Sequence, residues 1–186
     1  MTQIRLFSLA FLLLPISQAS VMARNVNDLD CQITADFAAK SGGGNDFLLI
    51  SAAAEGDVDK IGTALRLGGN VNFSDEELMT PLAWAARCNH LSTVSYLISH
   101  GADVNQSFSY QRDMHYKFKN SSALIWAASN DNVQIVKFLV EHGADKFRRE
   151  VIYEVQAGGS EIFLKHGRSA RDVTNNKLIL KILSSR

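Results

Sequence analysis

One segment of this sequence recurs. Ala52-Ala53-Ala54-Glu55-Gly56-Asp57-Val58, running on to Leu67-Gly68-Gly69-Asn70-Val71-Asn72, aligns without gaps on Ala85-Ala86-Arg87-Cys88-Asn89-His90-Leu91 and its continuation His100-Gly101-Ala102-Asp103-Val104-Asn105. A third copy runs from Ala127-Ala128-Ser129-Asn130-Asp131-Asn132-Val133 to His142-Gly143-Ala144-Asp145. The copies begin 33 and then 42 residues apart. A period of this length marks a solenoid, whose units each carry an apolar face that only stacking can bury.

Each unit reads as a pair of helices. Thr80 suits an N-cap and Pro81 the first turn, where its missing N–H costs nothing. Small Ala85, Ala86, Ala127 and Ala128 let neighbouring helices approach. The second helices carry apolar residues at helical spacing: Val94, Leu97 and Ile98, then Ile135, Val136, Leu139 and Val140. Gly101 and Gly143 follow as C-cap residues. Ahead of the repeats, Leu29, Ile33 and Phe37 recur every four residues, a short helix that would cap the open end. Gly42-Gly43-Gly44 after it lacks the Lys-Ser/Thr of a P-loop and reads as a linker.

Thr80-Pro81-Leu82-Ala83-Trp84-Ala85-Ala86 resembles the T-P-L-H-x-A signature of the ankyrin-repeat family, with Ala83 in place of His. Ser122-Ala123-Leu124-Ile125-Trp126-Ala127-Ala128 is a looser copy, and Gly167-Arg168-Ser169-Ala170-Arg171-Asp172-Val173 resembles the opening of a terminal repeat. The resemblance implies an all-α solenoid of about four helix-pair repeats, the outer two serving as caps, with enlarged β-hairpin fingers. It also implies a non-enzymatic module that binds a protein on its concave face and fingers, without a cofactor.

The repeat domain is expected over 46–186, with insertions near 107–120 and 147–166. A capping helix and Gly-rich linker are expected over 24–45. Residues 1–19 read as a signal peptide: Arg5, an apolar stretch over Leu6–Ile16, then small Ser17 and Ala19. A cut after Ala23 is an alternative. The apolar run falls well short of the roughly 20 residues that span a bilayer as a helix. These features predict a periplasmic product with no membrane span in its mature form; a start at Met22 would add a minor cytosolic form.

Two cysteines, Cys31 and Cys88, leave two readings open. An oxidising compartment allows a disulfide between them, while a pair of buried free thiols fits equally simple packing and is the reading preferred here. The formal charge of the chain is zero, so no strong overall field is expected to recruit nucleic acid or an anionic membrane.

The insertions are the places where function departs from the repeat. The first holds Phe108, Tyr110, His115, Tyr116 and Phe118 among Arg112, Lys117 and Lys119. In the second, Val151-Ile152-Tyr153-Glu154-Val155 and Ile162-Phe163-Leu164-Lys165 flank Gly158-Gly159, which is hairpin chemistry. Aromatic residues with Arg on such fingers have the composition of binding hot spots. The expected partner-binding residues are Tyr110, His115, Tyr116, Phe118 and Tyr153 on the fingers. Glu76, Glu77, Met79, Arg87 and Asn130 join them where the family's surface varies. Trp84 and Trp126 stand at equivalent positions and are expected to pack between repeats.

No catalytic motif appears. His90, His100 and His142 recur at places that the repeat itself explains, and no metal spacing or nucleophile elbow is present. Small exported bacterial ankyrin proteins are similar in length and layout, and some are immunity proteins that neutralise lipolytic effectors of type VI secretion. The chain is therefore expected to bind one specific protein, a lipase-type effector, and to be monomeric when free. The alternative is an envelope scaffold or stress-protection protein.

Overall fold

The computed structural model describes Cys31 and residues 44–74, 79–111, 116–155 and 161–185. The expected signal peptide and most of the capping segment lie outside these residues, as do Glu76, Glu77 and His115. Three helix pairs follow one another: α1 (Gly44–Glu55) with α2 (Val58–Arg66), α3 (Pro81–Arg87) with α4 (Leu91–Ser99), and α5 (Ala123–Ser129) with α6 (Val133–Glu141). A single helix, α7 (Lys177–Ser184), closes the stack against α6. Gly44 opens the first helix.

Local chemistry sets the helix starts. Thr80 Oγ1 accepts from Ala83 N at 3.1 Å, Asp57 Oδ1 from Lys60 N at 3.0 Å, and Asn176 Oδ1 from Leu178 N at 3.0 Å. Each satisfies a backbone donor that the first turn leaves open. The caps of α4 and α6 behave differently. His90 Nε2 and Asn132 Nδ2 reach back to the preceding repeat, at 3.0 Å from Ala54 O and 2.7 Å from Ala86 O.

The first helices α1, α3 and α5 pack side by side through alanines 52, 53, 85, 86, 127 and 128, all fully buried. Leu49, Ile50, Ile61, Leu82, Leu97, Leu124, Ile135 and Leu139 fill the space between layers. Burial of each such side chain is worth about 1.5–3 kcal/mol. On the loop side the repeats are stapled. Asn72 accepts from Asp103 N (2.8 Å) and donates to Gly101 O (3.2 Å), and Asn105 does the same with Asp145 N (2.8 Å) and Gly143 O (2.9 Å).

The two insertions are not separate fingers on an all-helical body. They form one antiparallel sheet in the order β1-β2-β3-β4, from β1 (Phe108–Gln111), β2 (Tyr116–Ser121), β3 (Arg149–Val155) and β4 (Glu161–Ser169). Phe118 pairs with Tyr110 on one side and Ile152 on the other, and Tyr153 pairs with Lys117 and Phe163. A hairpin alone is marginal, and joining two gives a sheet that can hold its shape. At its root Ser121 Oγ donates to Glu150 Oε1 at 2.8 Å, both buried. Gly167 allows a close approach here: a Cβ would stand 3.0 Å from Glu150 Cβ, so a larger residue would push β3 aside by a few tenths of an ångström.

The expected terminal repeat is half present. β4 runs through Ser169 and turns at 170–173, so among the described residues α7 has no partner helix and the repeats supply three pairs and one helix. The turn is held by Asp172, whose carboxylate takes the N–H and hydroxyl of Ser169. Cys31 and Cys88 are joined by a disulfide, with Cα atoms 6.1 Å apart. This overturns the preferred reading of two free thiols: the fold brings residue 31 against the C-cap of α3, a proximity that spacing alone does not reveal.

Candidate functional site

Trp84 and Arg87 stand three apart on α3 and so share a face. Trp126 is the residue on α5 equivalent to Trp84. The Arg87 guanidinium lies between the two indoles, 5.0 Å from the Trp84 ring centre and 4.8 Å from that of Trp126. Each contact is worth roughly 0.5–2 kcal/mol, rising with desolvation. Asn130, at the C-cap of α5, donates from Nδ2 to Arg87 O at 2.8 Å and fixes the repeat spacing beneath the stack. The result is a half-buried cation whose position is set before any partner arrives. Trp84 is buried as expected, while Trp126 is only half-buried.

The sheet supplies a second group. Lys117 and Lys119 alternate with Phe118 along β2, so the lysines share one face and Phe118 the other. Lys119 Nζ sits 4.7 Å from the centre of the half-buried Tyr153 ring. Tyr110 and Tyr116 are placed by their backbones, opposite Phe118 and Glu154.

Two expected contact residues are corrected. Met79 is 4% exposed and joins the core, because an apolar residue just ahead of an N-cap packs back onto its own helix. Phe118 is 6% exposed, since strand alternation turns it inward between the two lysines. Neither is presented to a partner.

The zero net charge conceals a division. Residues 44–105 carry eight acids against three bases, and residues 106–186 thirteen bases against eight acids. Several carboxylates of the second half serve internal bonds: Glu150 with Ser121, Asp131 with Thr174 at 2.7 Å, and Asp172 with Ser169. The Ser169 N–H and hydroxyl, with Arg149 3.1 Å away, hold the Asp172 carboxyl below the usual carboxylate range. His100 and His142 are structural: each stacks on the aromatic ring four residues earlier and bonds that residue's carbonyl. Among the described residues no cluster of His, Cys, Asp and Glu could hold a metal ion, and no helix is long and apolar enough to cross a membrane.

Helix pairs stacked in register, with a rigid polar-aromatic face and an attached sheet, define a repeat scaffold that works by surface contact. The family profile described as Ankyrin repeats (3 copies) matches residues 19–107 and 48–150. The chain belongs to the ankyrin-repeat family, whose members are protein-interaction modules, generally without enzymatic activity. It is 39% identical over 61 residues to the putative ankyrin repeat protein YahD of Escherichia coli (strain K12), covering 33% of this chain and 29% of that one. It is also 44% identical over 52 residues to the DNA-binding protein RFXANK of Homo sapiens, covering 27% and 20%. The chain thus matches less than a third of either relative's length.

Proposed function

We propose that this chain is exported to the periplasm and there binds one specific protein, a secreted lipolytic toxin that it inhibits as an immunity protein. The observation that carries the binding reading is the Arg87 guanidinium fixed between Trp84 and Trp126. Arg and Trp dominate binding energy at interfaces, and a side chain ordered beforehand loses little entropy on contact. The joined sheet beside the repeats offers a rigid body of the kind that can occlude an active-site cleft. The disulfide supports an oxidising compartment. The toxin as partner rests on the likeness to small exported ankyrin proteins, not on any one residue.

Purification of C-terminally tagged protein from the envelope, followed by mass spectrometry, tests this reading. One stoichiometric partner with lipase activity, whose toxicity the chain suppresses on co-expression, is the expected result. An oxidant-sensitive deletion phenotype with no toxin present would replace it with stress protection. A processed band unchanged by Met22→Leu would remove the cytosolic form.

A further inference from the structure

Phe147 is the most exposed large apolar side chain among the described residues, with 82% of its surface open. Its backbone is nonetheless fixed. Its N–H donates to Asp145 Oδ1 at 2.9 Å, the same turn that Asn105 makes on Asp103 and Asn72 makes on Asn70. Aligned by repeat, Phe147 stands where Asn72 and Asn105 stand, the two residues whose side chains staple each loop to the next. Among the described residues no further loop of this kind stands against the third. Where the first two loops carry asparagine, the sequence places an exposed aromatic ring.

The setting is cationic and also held. Lys146 Nζ donates to the Ser185 carbonyl, Arg148 Nη1 to Asn120 Oδ1 at 2.8 Å, and Arg149 pairs with Asp172 at 3.1 Å. We infer that Phe147 is an anchor that enters an apolar pocket on the partner protein, with carboxylates on the pocket's rim meeting Lys146 and Arg148. The inference rests on the protein-binding reading but uses residues separate from the Arg87 stack. A lipid surface is the weaker fit, since one apolar group gives only marginal attachment. Lys146 and Arg148, held at fixed spacing by Ser185 and Asn120, are matched by a shaped protein rim, whereas lipid headgroups would take loose cations equally well.

Placing the photo-crosslinking residue benzoylphenylalanine at position 147, at 126 and at the control position 137 of the full chain in cells tests this. The expected result is one protein adduct of the same mass from 147 and 126, none from 137, with the attached peptide rich in Asp or Glu. Phe147→Asn then weakens affinity for that purified protein at least tenfold without lowering the melting temperature. An adduct from 126 alone, or unchanged affinity, overturns the anchor and leaves the protein-binding reading standing. No adduct from either position overturns both. A phospholipid adduct or a self-linked dimer at 147 assigns the ring to a membrane or a second copy instead, and also overturns it.

Discussion

His90 Nε2 lies 3.0 Å from the carbonyl oxygen of Ala54, in the repeat before its own. A carbonyl only accepts, so Nε2 carries the hydrogen. Forty-two residues on, Asn132 makes the equivalent bond to Ala86 from its amide. One structural task is thus done by two chemistries. His90→Ala should cost about 1–2 kcal/mol by leaving a partly buried carbonyl unmet. His90→Asn should recover most of that loss, read as the midpoint of urea unfolding.

Gly56 meets the same ring. Its φ is +80°, and a Cβ there would stand 2.6 Å from His90 Nδ1. Gly56→Ala should therefore destabilise by at least about 1 kcal/mol, through strain and through displacement of the imidazole. In the Gly56→Ala background, His90→Ala should cost less than it does alone, a double-mutant cycle that reports the contact.

The disulfide spans a separation of 57 residues. Closing such a loop stabilises the fold by about 4 kcal/mol in the chain-entropy account. Reduction, or Cys31→Ser with Cys88→Ser, should lower the unfolding free energy towards that figure. Non-reducing mass spectrometry should find the two thiols oxidised.

Asp172 makes the turn after β4 sensitive to acid. Its carboxyl is held below the usual range, so its contribution is complete above the unfolded value of about 4 and is lost as pH falls below it. Its side chain is 39% exposed, so the effect is small and screened by salt. Asp172→Asn should flatten the dependence of stability on pH below about 4, measured by thermal melts in low salt.

The repeats were legible in the sequence because their signals are local: a period, a Thr-Pro start, a Gly stop. The second hairpin was legible from β-formers around Gly158-Gly159. The first strand pair is expected through the family resemblance alone, although Phe108 with Tyr110 and Tyr116 with Phe118 alternate at strand period. Its union with the second hairpin depends on pairing across the whole third repeat. The Arg87 stack was half visible, as Arg87 follows Trp84 by one helical turn, but Trp126 comes from the next repeat. Met79 is buried although it aligns with variable surface positions of the family, and Phe118 is buried although it lies on a finger, because local packing turns both side chains in. The opposed charges of the two halves needed only a count by region, which the zero total hid.

The central claim is that the face built around Arg87 holds a protein partner. The most direct test is titration calorimetry of the partner purified from the envelope against wild type and Arg87→Ala, with a circular-dichroism melt to check the fold. A dissociation constant at least tenfold weaker for Arg87→Ala, equivalent to about 1.4 kcal/mol, is predicted. Equal affinity for the two proteins would contradict it.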